Sequence, residues 1–323
     1  MKKIFTFILF IVLTFLVHAQ KKIVAKPAID SLEEMNLLMQ MLDSLEKPKS
    51  YFDVSVGIGN KLFSVKNNSV NASQTQVNKL FFTPSIAYHH KSGFSIAVTP
   101  YVTSDSGAMK VYQTAITPSY DYIADDFSTG VSYTRYLADN TSYNTNATYQ
   151  NDLFAYFKYI KTAIQPSLSV GFANGSYNDI NLITLPALGN RIVKDSTSNT
   201  ISDFSLSIGV EHSFQFDSLF SNKSSLTFTP QLVLNASSEK YSTTHLNKNF
   251  VALAKKNKRV KSSSISEAGK TPFEFQSLAL SLSADLSLGN FNISPNIYFD
   301  YYLPTTTENR LNTVFSLSLG YSF

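Results

Sequence analysis

Five histidines and no cysteine bound the chemistry that this 323-residue chain can attempt. Thiolate nucleophiles, thiolate metal sites and disulfides are excluded. A serine nucleophile needs a histidine base within hydrogen-bond reach and a third polar group orienting the ring. Two residues apart on a strand is one spacing that sets serine and histidine on a shared face. His212 is followed two positions on by Phe214 and His89 by Lys91, whereas Ser213, adjoining His212, takes the opposite face. His90 falls at a turn, His245 in a basic stretch and His18 near the amino-terminus. The Asp125-Asp126 pair reads as ordinary turn chemistry. No phosphate loop, nucleotide fingerprint or His-rich metal cluster appears. No catalytic residue, metal or cofactor is therefore expected.

What remains is charge in two separate places. Seven acids, Asp53, Asp121, Asp152, Asp203, Glu211, Asp285 and Asp300, share the parity of small polar residues within alternating segments, and Lys158 is the only base of that parity. If that face lines a water-filled lumen, the wall holds negative potential and favours cations over anions. Equally, the carboxylates could serve to hydrogen-bond lumen water and neighbouring Ser, Tyr and Asn. The second place is the stretch 237–272, where Lys255, Lys256, Lys258, Arg259 and Lys261 crowd one short run. Facing outward, such a cluster would meet phosphates or acidic glycans; folded inward, it would narrow an acidic lumen; otherwise it is a solvated loop. The small positive net charge carries no argument for nucleic acid.

The elements that must position these residues are legible at residues 312–323. Phe315, Leu317, Leu319, Tyr321 and Phe323 occupy one face of a period-two pattern, and Val314, Ser316, Ser318, Gly320 and Ser322 the other. A strand with one greasy and one small polar face suits a wall between lipid and water. This segment, ending on an aromatic residue, resembles the closing strand of bacterial outer-membrane β-barrels. That resemblance implies a transmembrane barrel in the cell outer membrane, in contact with its lipid and lipopolysaccharide.

Eleven further segments alternate in the same way, at about 51–60, 79–90, 93–103, 110–122, 126–138, 151–160, 163–174, 201–213, 224–236, 273–288 and 291–302. Spans of about ten residues are what a tilted strand needs to cross a bilayer. The connections alternate too. Those at 90–93, 124–126, 161–162, 214–223 and 289–290 are short, as periplasmic turns should be. Those at 61–78, 139–150, 175–200 and 237–272 are long, as extracellular loops should be, and 104–109 and 303–311 are shorter exceptions. An all-β, up-and-down antiparallel barrel of about twelve strands over 50–323 is expected. A soluble β-sandwich fits the strand count less well.

A third regularity is proline. Pro84, Pro100, Pro118, Pro166, Pro230 and Pro295 each follow an apolar-polar pair and share the parity of the lipid-facing residues. Because proline donates no ladder hydrogen bond, weakened pairing or bulges are expected in the half of the wall near the short turns.

The amino-terminal residues are of another kind. Lys2 and Lys3, the apolar run 4–17 and the small residues before Gln20 read as a secretory signal over 1–19. A periplasmic segment over 20–49 is then expected to hold a helix from about 31 to 46, capped near Ser31 and carrying Leu32, Met35, Leu38, Met39, Leu42 and Leu45 on one face. Three uses stand open for this stripe: a plug in the barrel mouth, a contact for an envelope protein partner, or self-association.

The resemblance also raises outer-membrane hydrolases. The outer-membrane phospholipase, likewise of twelve strands, places His and Ser two residues apart on one strand face, with the third partner on the neighbouring strand. Neither His212 nor His89 meets that spacing. The expected function is a passive small-solute pore, partly occluded by the helix or the basic loop. A non-conducting accessory subunit of an envelope complex is the second reading, and an enzyme is set behind both.

Overall fold

The computed structural model describes residues 49–60, 80–105, 108–138, 149–185, 191–245, 266–304 and 310–323. The expected signal segment 1–19, the helix over 31–46 and the basic run 255–261 lie outside the described residues. Every described element is a strand: β1 (Tyr51–Gly59), β2 (Phe81–His89), β3 (Phe94–Asp105), β4 (Ala108–Ile123), β5 (Phe127–Ala138), β6 (Asn151–Tyr159), β7 (Gln165–Leu185), β8 (Arg191–Glu211), β9 (Phe214–Asp217), β10 (Ser224–His245), β11 (Ser266–Lys270), β12 (Glu274–Leu288), β13 (Phe291–Tyr302) and β14 (Leu311–Ser322).

Two of the fourteen are continuations rather than separate staves. After a break at His212-Ser213, β9 carries on the line of β8 against the same partner, β10. Similarly, β11 and β12 pair with successive stretches of β10. Fourteen strands less two leaves twelve staves, each antiparallel to its neighbours, in a single sheet.

The sheet closes on itself. β1 pairs with β14 from Asp53↔Ser322 to Gly59↔Ser316. The seam is finished at one end by reciprocal bonds, Phe52 N–H to Phe323 O at 3.0 Å and Phe323 N–H to Phe52 O at 2.9 Å. At the other end the Asn60 amide donates to Thr313 O at 3.1 Å and accepts from Phe315 N–H at 2.9 Å. Closure leaves no row of unpaired backbone groups facing lipid, which a bilayer would not tolerate.

The two faces separate as alternation requires. On β14, Phe315, Leu317, Leu319 and Tyr321 are 39–45 % exposed, whereas Val314, just before them and of the opposite parity, is 1 % exposed. Val54, Ile86, Ile96, Val131, Leu153, Phe172 and Ile208 continue the exposed apolar belt around the wall. A closed antiparallel sheet, apolar outside and mostly small and polar inside, is a transmembrane β-barrel of the outer-membrane type.

The expected strands are all present, and four expected connections are corrected: within 104–109 Ser104 and Asp105 pair with Met109 and Ala108, 214–223 begins as β9, and two longer ones differ more. The stretch 175–200 is largely strand: β7 and β8 pair from Gln165↔Glu211 out to Leu185↔Arg191. The stretch 237–272 also begins and ends as strand, in β10 to His245 and in β11. These extensions carry few alternating apolar residues because, beyond the lipid, both faces of a ladder meet water. Backbone pairing then continues without the pattern that announces it.

The prolines interrupt the ladder in the manner their missing N–H dictates. The register of β2 with β3 passes from Phe82↔Val102 to Ile86↔Val98, omitting the position where Pro84 and Pro100 face each other. Between β4 and β5 it passes from Ile116↔Arg135 to Ser119↔Ser132, omitting Pro118. Between β12 and β13 it omits Ala284 with Pro295. Beside Pro230, β8 ends and His212 N–H donates to the proline carbonyl at 3.3 Å. Hydroxyl pairs inside the wall stand beside two of these gaps: Ser85 Oγ and Thr99 Oγ1 at 2.7 Å, and Thr117 Oγ1 and Thr134 Oγ1 at 3.0 Å.

Restoring the missing donors should therefore strengthen the wall. The double variant Pro84→Val/Pro100→Val supplies two N–H groups to carbonyls that face each other, each worth about 1 kcal/mol. Part of this is offset by the freer unfolded chain, about 0.4–1 kcal/mol per proline. The urea midpoint of the barrel folded into vesicles should rise; a midpoint that stays or falls would show that these carbonyls already have partners.

Candidate functional site

With the exterior of the staves turned to lipid, the polar side chains of the membrane-spanning wall are on the inward face. Past the middle of the staves that face carries large side chains. Phe81, Tyr101, Tyr112 and Tyr136, on β2 to β5, cluster around Ala115, and each is no more than 7 % exposed. Tyr112 reaches this cluster through a bulge, since Tyr101 pairs with Gln113 but Val102 pairs with Val111. On another part of the wall Tyr298 packs with Val233, Ala279 and Val314. Asn235 fixes Tyr298 by donating to its hydroxyl at 3.0 Å and to Ser277 Oγ at 3.1 Å, while accepting from Ser207 Oγ at 2.7 Å. These side chains form a waist.

Two cavities open on the short-turn side of the waist. One, of about 310 Å³, lies against β4 to β8 and β10. The other, of about 330 Å³, lies against β1 to β3 and β12 to β14. Small residues make this room: Ser167, Ser169, Ser207 and Gly209 in the first, and Ser55, Gly57, Ser316 and Ser318 in the second.

The first cavity holds a connected polar system. Lys158 Nζ lies 2.9 Å from Glu211 Oε1, and Gln231 Nε2 donates to Glu211 Oε2 at 2.9 Å. Both carboxylate oxygens are thus engaged. The Tyr156 hydroxyl donates to Asp121 Oδ1 at 3.1 Å. Two glycines allow this arrangement. A Cβ on Gly130 would stand 2.4 Å from Asp121 Oδ1 and 2.6 Å from Tyr156 Cε1. A Cβ on Gly209 would stand 2.6 Å from Ser167 Oγ and 3.4 Å from Gln231 Nε2.

The other acids are spread around the wall. Asp285 borders the second cavity. Asp53 accepts from Ser322 Oγ at 3.0 Å beside the closing seam. Asp300 lies two residues beyond Tyr298 on the same face of β13, opposite Asn312. Asp152 and Asp203 are each 6 % exposed. Register places them in one row across four staves: Asp152↔Ala173, Ala173↔Asp203 and Asp203↔Glu239. Among the described residues Asp203 Oδ1 is buried without a hydrogen-bond partner. Glu239 escaped the sequence reading because it falls in the stretch taken as loop; its inward parity on β10 was the signal available.

The histidines are dispersed. His89 stacks on Tyr51 at 4.6 Å. His212 Nδ1 bonds to the Ala163 carbonyl and its ring stands edge-on to Phe214 at 4.4 Å. His90 Nδ1 lies 2.8 Å from Ser92 Oγ, a His–Ser pair two residues apart that the sequence reading passed over. It sits in the exposed turn closed by Gly93 N–H to His90 O at 3.0 Å, where Gly93 takes φ 94°. That pair is turn chemistry, and no carboxylate or amide among the described residues orients its ring.

No protein-family model matches this chain, and no curated protein matches it in sequence. Among solved structures it is similar to the CymD monoaromatic hydrocarbon channel, at 9 % identity and a TM-score of 0.33 over 92 % of this chain and 94 % of that one. It is similar to the NanC porin at 10 % identity and 0.30, over 84 % of this chain and 98 % of that one. A third is the outer membrane channel DcaP of Acinetobacter baumannii, at 10 % identity and 0.22 over 85 % and 96 %. Likenesses this distant carry no weight about what the lumen does.

The Lys158–Glu211 contact supplies a test of the site's construction. Lys158→Met should leave Glu211 charged and half-satisfied in the wall, costing about 1–3 kcal/mol for a pair that keeps some contact with water. The double variant Lys158→Met/Glu211→Gln should recover much of that loss. A double-mutant cycle on urea unfolding reads the coupling directly; additive losses would mean that the ion pair is incidental.

Proposed function

We propose that this chain is a passive outer-membrane channel for small solutes, with selection by width and wall charge and no covalent step. The observation that carries the reading is the pair of polar cavities inside a closed wall, each large enough for a small molecule and lined by hydroxyls, amides and carboxylates. Asp53, Asp121, Asp152, Asp203, Glu211, Asp285 and Asp300 against Lys158 give the inward face a negative balance, so cations and neutral solutes are favoured over anions. In this reading the helix over 31–46 or the basic run 255–261 occludes the lumen in part. The basic run would also meet lipopolysaccharide phosphates.

One observation favours a second reading. At the waist Tyr101 is 3 % and Tyr298 1 % exposed, so these rings are packed among their neighbours on the inward face. A barrel whose waist never opens would be a non-conducting accessory subunit, with the helix over 31–46 docking an envelope partner.

Planar-bilayer recordings separate the two. The channel reading expects discrete current steps favouring cations, with the reversal potential shifted toward zero by Asp121→Asn/Asp285→Asn. It also expects larger steps from Tyr101→Ala/Tyr298→Ala. Silence from both the natural chain and the waist variant, after deletion of residues 21–47 as well, would leave the accessory reading.

A further inference from the structure

We infer that the cavity bordered by β4 to β8 and β10 is a binding site for one small polyhydroxylated solute, a monosaccharide in size and chemistry. The inference rests on the channel reading for its use, since such a site would be a station on the permeation path. The binding itself follows from the lining.

A cation offers only donors and a carboxylate or phosphate only acceptors, whereas each hydroxyl of a sugar offers both. The groups around this cavity match the third case. Glu211 has both oxygens engaged by Lys158 and Gln231, so its charge is already balanced and does not call for a second cation. Asp121 accepts from the Tyr156 hydroxyl, so a carboxylate–hydroxyl contact is already present in the lining. Ser132 and Ser169 add hydroxyls, and Ser207, whose proton goes to Asn235, adds an acceptor oxygen.

Apolar surface is supplied on one side. The rings of Phe154 and Tyr156, two residues apart on β6, lie 6.3 Å centroid to centroid and 28° from parallel. Both residues border the cavity and give it an apolar side for the C–H face of a pyranose ring, while the polar groups meet its hydroxyl edge. Few polar groups placed around an apolar face is the usual composition of a small-molecule site. The space is also kept clear: Gly130 and Gly209 leave out the two side chains that would displace Tyr156, Asp121, Ser167 and Gln231 from their positions. At about 310 Å³ the cavity takes one sugar ring and not a chain of them.

The test uses the full chain, folded in detergent, titrated separately with D-glucose, putrescine and acetate. Tyrosine fluorescence serves as the readout because the chain contains no tryptophan; calorimetry checks it. Saturable glucose binding is expected, weakened about tenfold, or 1.4 kcal/mol, by Phe154→Leu and by Gly209→Ala. If either variant fails to fold, Lys158→Gln, which frees Glu211 to bind amines, should lower glucose affinity and raise that for putrescine. Putrescine or acetate binding without glucose binding overturns the assignment, as does glucose binding indifferent to all three variants. Recording currents from the same preparations keeps the two ideas apart. A chain that conducts and does not bind glucose loses the site and keeps the channel. One that binds glucose and never conducts keeps the site and loses the channel.

Discussion

Everything in this molecule follows from the refusal of a bilayer to hydrogen-bond a peptide group. An N–H or carbonyl in hydrocarbon has no water to turn to, so a sheet that crosses lipid must satisfy its backbone internally, and only closure does so for every strand. The β1–β14 seam is where this requirement is met, with Asn60 acting as a side-chain stand-in for backbone at one end. Once the sheet is closed, period-two alternation divides the membrane-spanning residues into a lipid set and a lumen set, and within the bilayer the polar groups gather on the lumen side.

The lumen is a compromise between filling and opening. Aromatic side chains from several staves occupy the waist, where Asn235 ties Tyr298 to Ser277 and Ser207. Toward the short turns, serine and glycine replace them and leave two cavities. The same end of the wall holds the prolines, so the stretch that contains the two cavities also carries the interruptions of the ladder. Cross-wall hydroxyl contacts such as Ser85 with Thr99 partly replace what proline removes.

How far all this was legible in the sequence depends on whether a feature is local. The twelve staves were legible because lipid outside and water inside imprint alternation on each one separately. The proline interruptions were legible because a missing N–H is a property of the residue itself. The outer parts of β7, β8 and β10 were not, since a strand in water on both faces carries no imprint; Glu239 was lost with them. Likewise the His90–Ser92 contact depends on the backbone path of a turn, and the search for strand-face pairs looked past it.

By itself, then, the amino-acid sequence determined the wall: its strand number and the face that the residues of each stave present. Tertiary structure decided which inner residues meet. Lys158 and Glu211 are on strands separated by β7, and Asp121 and Tyr156 on strands separated by β5. Each contact depends on the accumulated stagger of several registers, and each register is set by turns, bulges and prolines acting together. Parity is a property of one strand and can be read from it; neighbourhood across a barrel is a property of the closed ring and exists only once the ring has closed.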